Sequence, residues 1–532
     1  MKFPLFIWIN WIKQHIGNII IGAIAGILSG TVLFFAFDYS ERSKTKNVIS
    51  TSFREANQLI EMKLYQDALI KYNDILKLLS EKEDPLLYSK IQNNIGKCHC
   101  ELSLASDTEN HLIRAVYAFE QASTIHEAEK NPITYAKMLQ NLGASYVALS
   151  DIRSKEENLV KAIPTLEKAL KTISASKYPV DYATIKTNLA TAYAKLSSVR
   201  DSEKNITTAI QTLEECLKII TVEKEPDLYA NIQMNLAGAL TQLSEIREKG
   251  INIGRAIHVL QEALRVKMLE KSPDDYSSIQ LNLGIALKEL AEVQDKQENL
   301  WKAVEAFEEA ITIKTIEKRP DDYARICHNL GNTFSQLFEI EKNKTYAADA
   351  VYFFKEALRI WAVEKFPVKY VKVQNDLGIV YIQLSAIQDK RNNLEKAIQV
   401  FGEALKILTI EKYPIDYALA KNNIGFVYIE LAPFGSRHDS LVKSIQALQE
   451  ALKIRTFANY PSDYAITQDN LGRAYEFLSE IQDNQKNLEN AAIAFQEALR
   501  VFSVDKYPLN HQKTKSNLER VSKKLKCQSP PS

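Results

Sequence analysis

The amino-acid sequence predicts an all-α protein, an α-solenoid of helix-turn-helix repeats that follows an N-terminal transmembrane helix. Proline recurs every 47 residues over most of the 532-residue chain. Between these prolines, apolar residues keep the three- and four-residue spacing of amphipathic helices. Near the N-terminus, 22 consecutive residues carry no charge. The low glycine (16) and proline (15) counts, with 46% hydrophobic residues, also favour long helices over an all-β or disordered chain.

The uncharged stretch, residues 16–37, has the length of a membrane-spanning helix. As a helix it would extend about 33 Å, enough to cross the hydrocarbon core of a bilayer. Trp8 and Trp11 precede it, as aromatic residues at a membrane interface do. A cleaved signal peptide is the alternative, but no small-residue cleavage site precedes the charged residues that follow. We therefore expect an interfacial segment at 1–15, a single-pass transmembrane helix at 16–37 and a charged linker at 38–47.

Three glycines, Gly22, Gly26 and Gly30, recur every four residues within this stretch. They would form one smooth face on which a second helix can pack closely, which suggests a homo-oligomer formed through the transmembrane helix. The alternative is that glycine is simply frequent in membrane helices. Four basic residues follow the stretch and two precede it, which slightly favours a cytoplasmic array. They are Arg42, Lys44, Lys46 and Arg54 against Lys2 and Lys13.

The repeat is defined by ten prolines, which we call the ladder prolines. Tyrosine stands three residues after each of the first nine, and leucine stands seventeen residues after each of them. This regularity predicts nine repeats of 47 residues over 85–507, preceded by a shorter helix pair at 48–84. A polar helix at 508–526 would cap the array, and 527–532 would be a tail. The ladder prolines are Pro85, Pro132, Pro179, Pro226, Pro273, Pro320, Pro367, Pro414, Pro461 and Pro508.

Each repeat carries two apolar stripes separated by a polar segment. In the repeat that begins at Pro273, Tyr276 to Leu290 form the first stripe and Leu300 to Ile311 form the second. The ladder proline fits the start of the first helix, where its missing N–H costs nothing. Pro164, in a second helix, is expected in that helix's first turn. Each repeat is therefore expected to be a helical hairpin.

The pattern resembles the tetratricopeptide repeat (TPR) family. The family's Leu-Gly, Tyr, Ala, Phe, Ala pattern falls in the second repeat on Leu142, Gly143, Tyr146, Ala162, Leu166 and Ala169, with leucine at the phenylalanine position. The repeat of 47 residues is longer than the usual ~34 residues of the family. The resemblance, over residues 48–526, implies a right-handed solenoid with a concave groove that binds a peptide or a partner protein.

No constellation in the sequence predicts an enzyme, a cofactor or a metal site. Phosphate-binding and metallohydrolase motifs are absent from it, and Cys98, His99 and Cys100 would diverge around a helix. The five cysteines show no spacing of a disulfide framework, and Cys216 stands where other repeats carry alanine, which predicts a small core residue. The acidic pairs that follow ladder prolines, such as Asp321 and Asp322, fit helix N-termini. Lys and Arg (67) balance Asp and Glu (66), which argues against nucleic acid as a partner.

One polar residue repeats with the prolines. Asparagine stands nine residues after nine of the ten ladder prolines, although it is a mediocre helix former, and aspartate stands after the tenth. We call this the ladder position. Its amides would bind the backbone of an extended peptide in the groove, or they would hydrogen-bond neighbouring first helices to one another. The ladder residues are Asn94, Asn141, Asn188, Asn235, Asn282, Asn329, Asp376, Asn423, Asn470 and Asn517.

Two functions fit these features. The first is a membrane-anchored scaffold or adaptor that binds a peptide or partner protein in its groove. The second is a structural organiser that oligomerises or stacks arrays at a membrane without a dedicated peptide site. The residue three positions after the ladder position varies between copies, from Lys97 through Gly238 to Arg473. Because a uniform structural stack needs no such variation, the sequence favours the scaffold, whose partner it does not identify.

Overall fold

A computed structural model describes residues 44–104, 107–125, 131–267 and 272–528, with side chains to 526. Throughout these residues the chain is an array of helical hairpins, and they contain no strand. This confirms the all-α repeat fold. The right-handed twist stays a prediction. The chain divides into two compact units, Met1–Ile246 and Arg247–Ser532.

The first unit holds the leading hairpin, repeats 1 to 3 and the first helix of repeat 4. The first helix of each of repeats 1 to 4 begins at a ladder proline. Its helices are α1 (44–61), α2 (Tyr65–Leu78), α3 (Pro85–Leu102), α4 (Thr108–Ile125), α5 (Pro132–Leu149), α6 (Lys155–Thr172), α7 (Pro179–Ser197), α8 (Ser202–Leu217) and α9 (Pro226–Ser244).

The second unit continues with the second helix of repeat 4, repeats 5 to 9 and a last single helix. That last helix begins at the tenth ladder proline. The helices are α10 (Lys249–Val266), α11 (Pro273–Leu290), α12 (Lys296–Ile313), α13 (Pro320–Glu341), α14 (Lys344–Ile360), α15 (Pro367–Ser385), α16 (Lys390–Leu405), α17 (Pro414–Leu431), α18 (Arg437–Leu452), α19 (Pro461–Ser479), α20 (Asn484–Leu499) and α21 (Pro508–Gln528).

The two helices of a hairpin pack closely through a small residue on the first and a large residue on the second. In repeat 5 a Cβ placed on Gly284 would lie 2.5 Å from Cε1 of Phe307, which is fully buried. Gly143 faces Leu166 in the same way in repeat 2. Repeat 3 instead carries Ala190 at the glycine position, with a leucine at the position of the large residue. The small and large positions therefore determine how closely the hairpin closes.

The turn inside each hairpin uses a left-handed residue and a second periodic asparagine. In repeat 5, Asp295 has φ 45° and ψ 48°, immediately before α12. Asn299, four residues later, donates from Nδ2 to the carbonyl oxygen of Gln294 at 2.9 Å, which satisfies a backbone group at the turn. Asn158, Asn205, Asn252, Asn393 and Asn487 make the corresponding bond in their own repeats. These asparagines are structural. The same 47-residue period in the sequence could have revealed them.

The predicted single-pass localisation is contradicted. Among the described residues, no helix is both long and apolar enough to cross a membrane. The physical reason is that the described helices carry charged and other polar residues along their length, as α17 does with Asp416, Lys421 and Glu430. The predicted span at 16–37, with Gly22, Gly26 and Gly30, lies outside the described residues.

Candidate functional site: the ladder position on the first helices

The ladder position lies where successive first helices meet. In each unit the first helix of one repeat contacts the first helix of the next, for example α5 with α7 and α13 with α15. Each second helix contacts the first helix of the following repeat. The residue fourteen positions after the ladder proline faces the preceding second helix. The residue nine positions after the ladder proline lies about 140° around the helix from it. Side chains at the ladder position can therefore reach either a neighbouring first helix or a ligand on the surface of the first helices.

Three ladder residues are tied to the preceding first helix. Each pairs with the residue that stands 48 positions earlier, just before the ladder position of the preceding repeat. The pairs are Asn141 Nδ2 to Asn93 Oδ1 at 3.2 Å, Asp376 Oδ2 with His328 Nε2 at 2.7 Å, and Asn470 Nδ2 to Asn422 Oδ1 at 3.3 Å. At these copies the side chains act as bonds between repeats, and we call them the locked copies.

Four further ladder residues also have partners within the protein. Asn94 donates to Asn57 Oδ1 and to the Tyr72 hydroxyl, both at 3.0 Å, which joins repeat 1 to the leading hairpin. In the other three, the side-chain oxygen is the acceptor. Asn329 accepts from Lys288 at 3.1 Å, Asn423 from Asn422 at 3.3 Å, and Asn517 from Arg520 at 3.0 Å. The Nδ2 of Asn423 is buried without a partner.

The remaining three ladder residues make no hydrogen bond to another repeat within the described chain. In the first unit, Asn235 is exposed, and its Nδ2 donates only to the carbonyl oxygen of Asn231 on the same helix, at 3.0 Å. Asn188 is half-buried, and its side chain has no hydrogen bond among the described residues. The same holds for Asn282 in the second unit. These side chains keep amide oxygens available to a ligand.

We call the first-helix surface around Asn188 and Asn235 the open stretch. Thr184 and Thr191 donate their hydroxyls to carbonyl oxygens of their own helix, at 2.8 and 3.0 Å. At Gly238 nothing lies within 4 Å of the place where a Cβ would stand, so a ligand can approach the helix closely.

The charged groups beside the open stretch are paired. Lys137 lies 3.0 Å from Asp181, and Lys195 lies 2.6 Å from Asp151. The surface is therefore polar and nearly neutral, which suits a peptide backbone better than a strongly charged side chain.

The locked copy in repeat 7 belongs to a polar cluster on α11, α13 and α15. Asn332 Nδ2 lies 3.1 Å from the same Nε2 of His328 that faces Asp376, and the His328 ring lies against Phe354 and Trp361. Burial lowers the pKa of Lys288, and this outweighs the nearby Glu289 and Asp376, which raise it. Because Lys288 bonds to Asn329 on the next first helix and His328 pairs with Asp376 on the one after it, the cluster acts as a connection between repeats.

The cysteine and histidine residues form no convergent site among the described residues. No group of three possible metal ligands occurs there. Cys98 is buried, and burial raises its pKa to about 12, so its thiol is inert at neutral pH. His99 Nδ1 lies 2.9 Å from His111 Nδ1, and burial, with repulsion from His111, lowers the pKa of His99 to about 4. The acidic residues at helix starts are paired instead with cations, as Asp322 is with Lys314 at 2.9 Å.

No family model matches the chain, and no curated relative matches it. Solved structures do resemble it. The apo form of RapI is 16% identical, with 77% of this chain and 98% of that chain covered and a TM-score of 0.42. The human IFIT1 dimer with PPP-AAAA is 16% identical over 89% and 94% of the chains, with a TM-score of 0.41. A TPR repeat-containing protein of Cytophaga hutchinsonii is 14% identical over 60% and 95%, with a TM-score of 0.35.

At these identities and scores the likenesses give no information about function. The repeat itself is TPR-like, because the paired helices, the small-residue contact within each hairpin and the regular 47-residue period are properties of this chain's own structure.

Proposed function

We propose that the protein is a scaffold that binds an extended peptide or a segment of a partner protein along its first helices. The observation that carries this proposal is that the ladder position includes, besides the locked copies, two consecutive copies on the open stretch, Asn188 and Asn235, which we call the open copies. Side chains that serve only to join repeats are expected to have partners in every repeat, whereas Asn188 and Asn235 have none on a neighbouring helix. Two consecutive open amides suit the donors and acceptors of a peptide backbone. The proposal assigns no catalytic role.

A structural organiser without a peptide site is the second candidate. The locked copies favour it, because Asn141, Asp376 and Asn470 each bond to the preceding first helix. Under this alternative, the open copies would be sites where the same role has been lost. The two candidates make different demands on the open stretch, since only the scaffold requires a ligand to contact it.

The test uses peptides selected by display on the full-length protein. A benzophenone amino acid placed at Thr191, on the open stretch, should cross-link to the selected peptide. The same group at Gln211, exposed on the second helix α8 of the same repeat, is the control and should not. Equal cross-linking from both positions, or cross-linking from Gln211 alone, would rule out the first-helix surface as the binding site.

A further inference from the structure

In five of the nine repeats a tyrosine stands at the same position of the first helix, and in three of them its hydroxyl bonds to the preceding second helix. It stands fourteen residues after the ladder proline in repeats 2, 3, 7, 8 and 9, as Tyr146, Tyr193, Tyr381, Tyr428 and Tyr475. The Tyr193 hydroxyl donates to Glu167 Oε1 at 3.1 Å, and Tyr146 bonds to Glu120 in the same way. In repeat 9, Gln449 Nε2 donates to the Tyr475 hydroxyl at 3.1 Å. The protein's own side chains thus show what the gap between these two helices accepts: an aromatic ring with a hydroxyl at its far end.

Repeat 5 lacks this tyrosine and has an open groove at the same place. Leu287 occupies the tyrosine position, and a groove of about 490 Å³ lies over it, within the usual size range of ligand sites. Leu283, Leu287 and Leu290 of α11 form the apolar floor, and Ile257 and Gln261 of α10 form one wall. Gln261 stands at the position that Gln449 has four repeats later. A hydrogen-bond donor for a hydroxyl is therefore present, although the repeat has no tyrosine to use it.

The opposite wall of the groove is acidic. This wall is lined by Asp295, Glu298, Glu305 and Glu309. Lys302 also lines it, and its Nζ lies 2.6 Å from Glu298 Oε1. A neighbouring cavity of about 520 Å³ continues this surface and is lined by Glu305, Glu308 and Glu309 with Tyr276 and Thr312. Charge complementarity at this rim favours a cationic partner segment.

We propose that this groove is a second interaction site, which takes a tyrosine side chain from a basic segment of a partner protein. The ring lies on the three leucines, its hydroxyl accepts from Gln261, and lysine or arginine residues beside the tyrosine pair with the acidic wall. The groove is walled by second helices, whereas the ladder position lies about 140° away on α11. The proposal for this groove is therefore tested independently of the proposal for the open stretch.

The first test uses p-cresol, the analogue of the tyrosine side chain, with the full-length protein. Saturation-transfer NMR should detect p-cresol bound more tightly than toluene, which lacks the hydroxyl. Leu287→Tyr fills the groove with the chain's own ring, so it should weaken p-cresol binding at least tenfold and raise the unfolding temperature. Gln261→Ala leaves the floor intact and should weaken p-cresol about 2- to 12-fold, the contribution of one neutral hydrogen bond, while toluene is unaffected.

Tyr475→Leu provides the matched control, because it opens the corresponding gap beside Gln449 in repeat 9. This variant should bind a second equivalent of p-cresol. The proposal is overturned if the wild-type chain does not bind p-cresol, or if the Leu287→Tyr variant, shown by circular dichroism to be folded, binds it as tightly as the wild type does.

The charge of the partner is tested with two capped tripeptides, acetyl-Lys-Tyr-Lys-amide and acetyl-Glu-Tyr-Glu-amide. The basic peptide should bind at least tenfold more tightly at low salt, and the difference should shrink as salt is added. Equal affinities would overturn the assignment of a basic partner.

Discussion

Removing both cations that pair with Glu476 should release the last helix, α21, from the array. The Glu476 side chain is 2% exposed, and it accepts from Arg520 Nε and Nη2 at 2.7 Å each and from Lys524 Nζ at 3.1 Å. Arg520→Ala with Lys524→Ala would leave a buried carboxylate without a counter-charge. We expect a loss of about 3 kcal/mol in the docking of α21, near the low end for a broken buried pair because Arg520 is half-exposed.

Hydrogen exchange along 508–526 measures this release. The matched control is Arg437→Ala, which removes an exposed ion pair with Glu480 at 2.6 Å and should change stability by less than about 0.5 kcal/mol. Equal protection of α21 in both variants would contradict a role for the buried pair. Thr514, which donates to Asp469 at 2.7 Å, keeps part of the docking surface in either variant.

The same pair gives the last helix a dependence on pH. Burial raises the pKa of Glu476, but the hydrogen bonds and charges of Arg520 and Lys524 outweigh it and lower the pKa overall. The pKa of Glu476 in the folded chain is below its value in the unfolded chain, which is about 4.3. The pair therefore contributes its full stabilisation of the folded chain above pH ~4.3. Its contribution is lost as the pH falls through the lowered value, so α21 should lose protection in acid before the central repeats do.

Replacing the glycine at a hairpin contact by alanine should destabilise its repeat, although alanine favours helix. A Cβ on Gly284 would meet ring atoms of Phe307 at 2.5 to 2.8 Å, and Phe307 is fully buried and cannot move away freely. We expect Gly284→Ala to cost about 1–3 kcal/mol, as overpacking of a core does. Urea unfolding and hydrogen exchange in α11 and α12 would measure the loss.

Two controls separate this clash from the general effect of glycine. At Gly254, on α10, nothing lies within 4 Å of an added Cβ, so Gly254→Ala should stabilise by about 0.5–1 kcal/mol. Phe307→Leu should restore part of the loss of Gly284→Ala, because repeat 3 combines Ala190 with Leu213. If Gly284→Ala were as stabilising as Gly254→Ala, the contact between Gly284 and Phe307 would not limit how closely the two helices of the hairpin pack.

The sequence predicted the repeat well because its signals are local. The ladder prolines predicted the start of the first helix in each of the nine repeats, since a proline's effect on a helix start needs no tertiary context. Pro164 shows the limit of such reasoning. It was expected in the first turn but is the tenth residue of α6, inside the helix, where the packed hairpin tolerates it.

Whether a ladder residue bonds to the preceding first helix could not be predicted from the ladder residue itself. Asn141 and Asn188 occupy equivalent positions in consecutive repeats, yet only Asn141 reaches a side chain on the preceding helix. The difference depends on the residue 48 positions earlier and on the distance between two helices, which periodicity does not encode. The groove over Leu287 was missed for a similar reason, because a leucine in an apolar stripe does not reveal that a larger side chain is absent.

The most direct test of the scaffold function compares affinity and stability in two double variants of the full-length protein. Asn188→Ala with Asn235→Ala changes the open copies, and Asn141→Ala with Asn470→Ala changes locked ones. Affinity is measured for a peptide obtained by display, and stability by urea unfolding. Each lost neutral hydrogen bond is worth about 0.5–1.5 kcal/mol, so the open pair should weaken peptide binding roughly 5- to 150-fold without loss of stability. The locked pair should lower stability and leave affinity nearly unchanged. If Asn188→Ala with Asn235→Ala instead lowered stability and left the affinity for the peptide unchanged, this would contradict peptide binding through these asparagines. Their role would then be structural.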